Sequence, residues 1–337
     1  MFFLMVFAVI FAVAILGTQL GQIAALKVAL YAEGTKFFIR SKDLPTSFKG
    51  SNYLRMETTG PYTNGRRTIR VVFVRHGQSV WNSIFNSING GWPARVVKAV
   101  VRETVDFFTD PFDSVMIDSP LSSKGVKEAN ELADFFRGAK GKVSFDPATS
   151  VVVVSNLRRA METALVGAGP RLAVTRERMT VDSSLQEGSR NIDAQTLSTE
   201  RGKLAPMRIG GITDPRDLRN VFNPYLNDGG KVIGSDVYFR MDIFLRHLFG
   251  GSGHDSLVPA SGGSNAALKE VIVVGHSGYF RNFFRRFLPA SSTHIAKKCK
   301  MQNCAVVAFD LVHNESNGEL TVDESSITVL YKDLNEW

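Results

Sequence analysis

Two histidines, several arginines and a carboxylate stand at the ends of short segments that read as strands. Val71–Val74 stops at Arg75-His76. Ser150–Val154 stops at Ser155, with Arg158-Arg159 just beyond. Thr180–Leu185 stops at Gln186-Glu187, and Glu270–Val274 stops at Gly275-His276. Arginine forks match phosphate oxygens, and cationic groups stabilise charge on a transferring phosphoryl group. A neutral imidazole can act as nucleophile, and a carboxylic acid can protonate a leaving oxygen. Brought together, these groups would form a phosphomonoester site. Parallel neighbouring strands would bring them together, because their C-terminal ends share one rim.

Val71–Val74 suits that task best, being short and mostly β-branched, as strands buried on both faces are. Between the four segments the spacing predicts helices. Pro93–Phe108 carries Val96, Val97, Val100, Val101, Val105 and Phe108 at mostly helical intervals and reads as amphipathic. Its Arg95, Lys98 and Arg102 could meet an anionic substrate if the helix covers the site. Ser122 or Ser123 can cap a helix whose Val126, Ala129, Leu132 and Phe136 share a face and which ends at Gly138. Leu157–Val166 reads as a helix, and Ser235 or Asp236 caps another that runs through Leu248. Asn303–Leu311 and Ile327–Leu330 are expected as late strands, partly antiparallel. Asp214–Asn227 has no clear period and predicts no element. The expected fold is α/β: a three-layer α/β/α sandwich with a mostly parallel central sheet, preceded by an N-terminal hydrophobic helix.

The chain has 337 residues, 44% hydrophobic and 21% charged, enough for a large core. Two cysteines, Cys299 and Cys304, exclude a disulfide framework. Six of the eight net positive charges fall between Lys27 and Arg70, so the remainder is nearly neutral and no nucleic-acid partner is expected. Met1–Leu16 is continuously apolar, and no charged side chain precedes Lys27. As a signal peptide cleaved near Gly17, the run lacks a basic residue before its apolar core. As an anchor, Phe2–Leu26 is long enough to span a bilayer, although Thr18, Gln19 and Gln22 weaken its second half. A buried helix is a third reading. The basic flank favours the anchor, with that flank facing anionic lipid on the cytoplasmic side. The expected organisation is a hydrophobic segment over 1–26, a basic linker over 27–68 and a catalytic domain over 69–337. It would be membrane-associated with the catalytic domain cytoplasmic; a cleaved signal would instead place it in the secretory pathway.

Four ordered motifs sharpen the chemistry. Arg75-His76-Gly77-Gln78-Ser79 followed by Trp81-Asn82 resembles the Arg-His-Gly signature of the histidine phosphatase superfamily, the phosphoglycerate mutase-like proteins. Leu121-Ser122-x-x-Gly125-x-x-Glu128-Ala129, then Ser155-Asn156-Leu157-Arg158-Arg159-Ala160 through Thr163-Ala164, and finally Val273 to Gly278 resemble further blocks of that family, in its order. The resemblance implies a nucleophile at His76, phosphoryl binding by Arg75, Asn82, Arg159 and His276, and a general acid at Glu187. The segment after Glu187 departs from the family pattern and leaves Asp193 as a rival acid. Arg158 is expected to be a solvated helix residue or a specificity group. No metal or other cofactor is implied, because arginines and a histidine neutralise the phosphoryl charge. The resemblance implies a phosphomonoester phosphatase acting on a phosphorylated substrate. The alternatives are a phosphoglycerate mutase-like phosphotransferase and a non-catalytic phospholigand-binding scaffold at a membrane. The regions Ser83–Ile117 and Arg201–Asn265 are longer than usual between these motifs and are expected to shape substrate choice.

Overall fold

The structure, a computed structural model, describes residues 17–43, 65–86, 90–109, 113–207, 209, 215–250, 255–260, 262 and 267–335. Its helices are α1 (Gln19–Arg40), α2 (Val80–Phe85), α3 (Trp92–Thr109), α4 (Ser123–Gly138), α5 (Arg158–Gly167), α6 (Gly169–Thr175), α7 (Pro215–Val221), α8 (Val237–Phe249) and α9 (Ser277–Phe287). Its strands are β1 (Arg66–Arg75), β2 (Ser150–Val154), β3 (Met179–Asp182), β4 (Phe222–Leu226), β5 (Glu270–Gly275), β6 (Lys300–Met301), β7 (Val306–Asn314), β8 (Glu319–Tyr331) and β9 (Leu334–Asn335).

The main sheet has seven strands in the order β4-β3-β2-β5-β1-β7-β8. The first five are mutually parallel, and β7 and β8 continue antiparallel on one side. Register brings the strand ends to one level. Val154 and Val74 both pair with Val274, and Arg75 pairs with Gly275. His76 and His276 therefore each stand one residue beyond a matched pair. Side chains of β1 alternate between two cores. Ile69, Val71 and Phe73 pack with Phe244 of α8 and Phe280 and Phe283 of α9. Val72 and Val74 pack with Leu132 and Phe136 of α4 and Met161 of α5. Phe73 stacks on Phe280 with ring centroids 4.0 Å apart. Burying one such side chain contributes about 1.5–3 kcal/mol, which fixes β1 between its helices and holds its C-terminal end in place.

Several expectations resolve or change. Ser122 caps α4 by accepting from Gly125 N at 3.1 Å, and Asp236 caps α8 by accepting from Phe239 N at 2.9 Å. The third strand stops at Asp182, and Ser183–Leu185 coils into a 3₁₀ turn because Asp182 accepts from Ser184 N. The unassigned stretch before Asn227 holds α7 and the edge strand β4, where Pro224 is tolerated because one side is unpaired. The last long strand covers Glu319–Tyr331 and exceeds the expected Ile327–Leu330.

The N-terminal expectations fall partly outside the described residues. Met1–Leu16 lies outside the described residues, so the expected hydrophobic helix is not shown there. The boundary at 26/27 between apolar segment and linker falls inside α1, which Thr18 caps and which closes with Ser41 N donating to Phe37 O. Lys27, the first charge, is fully buried on that helix; it donates to Asp113 O and lies 3.6 Å from Glu103. No helix among the described residues is long and apolar enough to cross a membrane.

Helix α3 forms where spacing predicts it, but faces the other way. Its buried residues are Ala99, Glu103 and Asp106. Glu103 accepts from Ser114 Oγ at 2.9 Å and from Val115 N at 2.8 Å, so its inward carboxylate is satisfied.

Candidate active site

The strand-end loop after β1 is braced by the later motifs. Gln78 N donates to Glu128 Oε2 at 2.7 Å, and Gln78 O accepts from Ser122 N at 2.8 Å. A side chain at Gly125 would strike the Gln78 carbonyl, so the second motif needs glycine there. Gly77 N donates to Thr163 Oγ1 at 3.0 Å, and Glu162 Oε2 accepts from Leu121 N at 2.6 Å. The three motifs thus form one interlocked turn under His76.

His76 is buried, and its Nδ1 lies 2.6 Å from Gly77 O. A carbonyl only accepts, so Nδ1 carries the proton and Nε2 keeps its lone pair. Arg159 Nε donates toward that lone pair at 3.3 Å. Burial, then the charges of Arg159 and Arg75, hold the His76 pKa well below the usual imidazole range. The ring is therefore neutral at neutral pH. The ring of His276 lies 5.1 Å away, centroid to centroid, and its Nε2 is 2.9 Å from Ser155 Oγ. Burial and Arg159 likewise push the His276 pKa well down.

A cleft of about 460 Å³ opens over these groups. It is lined by Arg75, His76, Asn82, Arg159, Glu187 and Asp193, while His276 stands fully buried behind it. Arg75 is held by donating to Met301 O. Asn82 Oδ1 accepts from Ser79 Oγ at 2.5 Å. Glu187 Oε1 accepts from Gly188 N at 2.9 Å and from Tyr279 N, in the first turn of α9, at 3.0 Å. A side chain at Gly278 would come within 2.5 Å of that oxygen, so glycine there admits the carboxylate. The rival Asp193 sits 3.7 Å from Arg159 Nη1, and its backbone carbonyl accepts from the same nitrogen at 2.7 Å. Burial raises its pKa, and Arg159 opposes the rise.

Arg158 does not behave as expected. It is neither solvated nor part of the cleft: it is 2% exposed, Nη1 donates to Asp113 Oδ1 at 2.6 Å and Nε to Asp118 O at 2.8 Å. Two carboxylates near the fork keep it inside the fold. Arg95, Lys98 and Arg102 of α3 are also absent from the cleft lining, which draws on α2 next door through Trp81 and Asn82. Sequence reasoning missed Arg190, Arg281 and Lys300, which line the cleft. Arg281 lies one helical turn beyond Ser277, so helix periodicity could have found it. Lys300 carried no signal, because its two-residue strand is fixed by pairing with β9.

The loop carrying Glu187 has its own buried anchor. Lys231 donates to Glu187 O at 3.1 Å and Ser189 O at 2.6 Å, while Arg240 donates to Glu187 O at 3.2 Å. Both cations meet Asp43, just past α1, at 3.2 and 2.8 Å. Burial pulls the Lys231 pKa down to about 8.

No protein-family model matches the chain, and no curated protein does. Among solved structures, a mycobacterial glucosyl-3-phosphoglycerate phosphatase complexed with VO3 is 17% identical, with 76% of this chain and 97% of that one covered at a TM-score of 0.39. Phosphoglycerate mutase from Bacillus anthracis is 16% identical, with 76% and 92% covered at 0.38. A mycobacterial hydrolase is 18% identical, with 80% and 98% covered at 0.37. By its four motifs, in that order and in those places, the chain resembles the histidine phosphatase superfamily.

Proposed function

We propose that the chain hydrolyses phosphomonoesters through a phosphohistidine at His76. One observation carries the reading: His76 Nδ1 is committed to Gly77 O, leaving an unprotonated Nε2 beside Arg159 Nε at the floor of a cationic cleft. Nε2 attacks phosphorus while the ester P–O bond breaks in line. Arg75 and Arg159 offset the charge on the phosphoryl oxygens, with Asn82 as a further donor and His276 supporting from behind. Glu187 gives its proton to the leaving oxygen, releasing an alcohol. Water then attacks phosphorus as the P–Nε2 bond breaks, Glu187 takes the water proton, and phosphate leaves with His76 restored to its starting form.

The test is a substrate panel on the wild type beside His76→Ala, with acid-labile phosphate trapped on the enzyme during turnover. Phosphate release with a trapped phosphohistidine is expected from the wild type and neither from His76→Ala. Activity retained by that variant refutes the mechanism, and isomerisation outrunning release would make the chain a mutase-like phosphotransferase. Membrane association through the N-terminal apolar segment Phe2–Leu26, with the catalytic part on the cytoplasmic side, is part of the same reading. Its support is the uncharged apolar run and the basic excess that follows it.

A further inference from the structure

The outward face of α3 is apolar. Val97, Val100, Val101, Val105 and Phe108 are 62%, 50%, 58%, 53% and 50% exposed. Residues at these intervals share one stripe of a helix, and a surface helix normally turns such a stripe toward the core. Here the carboxylates have taken the inward positions. Glu103 is held by Ser114 and Val115, and Asp106 is 5% exposed. The exposed residues of α3 therefore include no acid; beside the apolar stripe they include Lys98 and Arg102. Contiguous apolar surface on this scale marks an interaction face.

We propose that this face of α3 seats on an anionic phospholipid bilayer, lying in the interface with its apolar stripe among the acyl chains. Charge favours the occupant: the exposed charged residues of α3 are Lys98 and Arg102, the latter also 3.6 Å from Asp106 and 4.0 Å from Asp113, and cations beside an apolar stripe suit anionic headgroups. Connectivity agrees. Helix α1 packs against α3, and the chain leading into α1 is the uncharged run Met1–Leu16. The proposal does not depend on the chemistry at His76, and it differs from anchoring by the N-terminal run because it assigns a second contact to the folded body.

The test uses the full chain with a single environment-sensitive fluorophore. Cys299 and Cys304 are buried, so Val101→Cys supplies the accessible thiol, and Val174→Cys, 71% exposed on α6, serves as the comparison. Vesicles contain phosphatidylcholine with phosphatidylserine, and a portion carry nitroxide-labelled acyl chains. The probe at 101 is expected to shift to the blue on vesicle addition and to be quenched severalfold by nitroxide lipid. The probe at 174 should do neither, and removing phosphatidylserine should weaken the effect at least severalfold. A chain that binds vesicles with the probe at 101 unquenched overturns the proposal. So does a probe at 101 already shifted before vesicles are added, which would mean that Met1–Leu16 or a second copy covers the face. Absence of vesicle binding overturns it as well.

Discussion

Replacing Glu187 by glutamine separates the two candidate acids. Glu187 Oε1 accepts both Gly188 N and Tyr279 N, at 2.9 and 3.0 Å. A glutamine carbonyl can take both bonds and leave its amide nitrogen where Oε2 stood, so the loop keeps its shape and only the transferable proton is lost. General acid catalysis supplies typically ~10²–10⁴-fold, which corresponds to about 3–5 kcal/mol of barrier. That loss should fall on substrates whose leaving oxygen needs a proton. With an alkyl phosphate such as glycerol 3-phosphate, kcat/KM should drop by ~10²-fold or more. With p-nitrophenyl phosphate, whose leaving group is stable as an anion, it should drop by less than about 10-fold. Asp193→Asn makes the control, because Asp193 faces Arg159 at 3.7 Å and its loss should lower both substrates by similar factors. An equal fall of both substrates in Glu187→Gln, or a selective alkyl-phosphate loss in Asp193→Asn, would refute the assignment.

Both buried histidines have folded pKa values well below the usual imidazole value. The unfolded state therefore binds more protons, so the stability linked to these groups is fully present above about pH 6.5 and is lost as pH falls below it. Calorimetric scans from pH 7.5 to 5 should show this loss, and His76→Ala should flatten it. Arg158→Met removes the guanidinium that donates to Asp113 at 2.6 Å, leaving that buried carboxylate only Arg102 at 4.0 Å, and should cost about 3–5 kcal/mol in denaturant unfolding. Asp43→Asn removes the shared counter-charge of Lys231 and Arg240, which hold the Glu187 loop. Alkyl-phosphate turnover should fall severalfold more than p-nitrophenyl phosphate turnover, with equal losses counting against a positioning role.

What the sequence made legible follows from how local each signal was. Val71–Val74, Ser150–Val154 and Glu270–Val274 are short, mostly β-branched runs with polar residues just past their ends, and the structure places all three side by side. The interlocking of the motifs was not readable as such, since Gly77 meets Thr163 across 86 residues. Arg158 misled for the same reason: its carboxylate partner Asp113 lies 45 residues earlier, where nothing in the spacing points to it. Strand β4 was hidden by Asn223 and Pro224, which break its apolar run and are tolerated only at an edge. Periodicity correctly predicted that α3 is a helix with an apolar stripe. It could not tell which way the stripe faces, because that depends on Glu103 finding Ser114 and Val115.

The buried meeting of Asp43 with Lys231 and Arg240 also decides how much chain the catalytic unit needs. A fragment beginning at Arg66 would retain the sheet, His76 and the arginines, yet it would leave two cations packed against the Glu187 loop with no counter-charge. It would also strip α1 from α3 and from the 3₁₀ turn that carries Asp193. A unit that keeps this ion cluster intact starts before Asp43 and includes α1, which packs against α3.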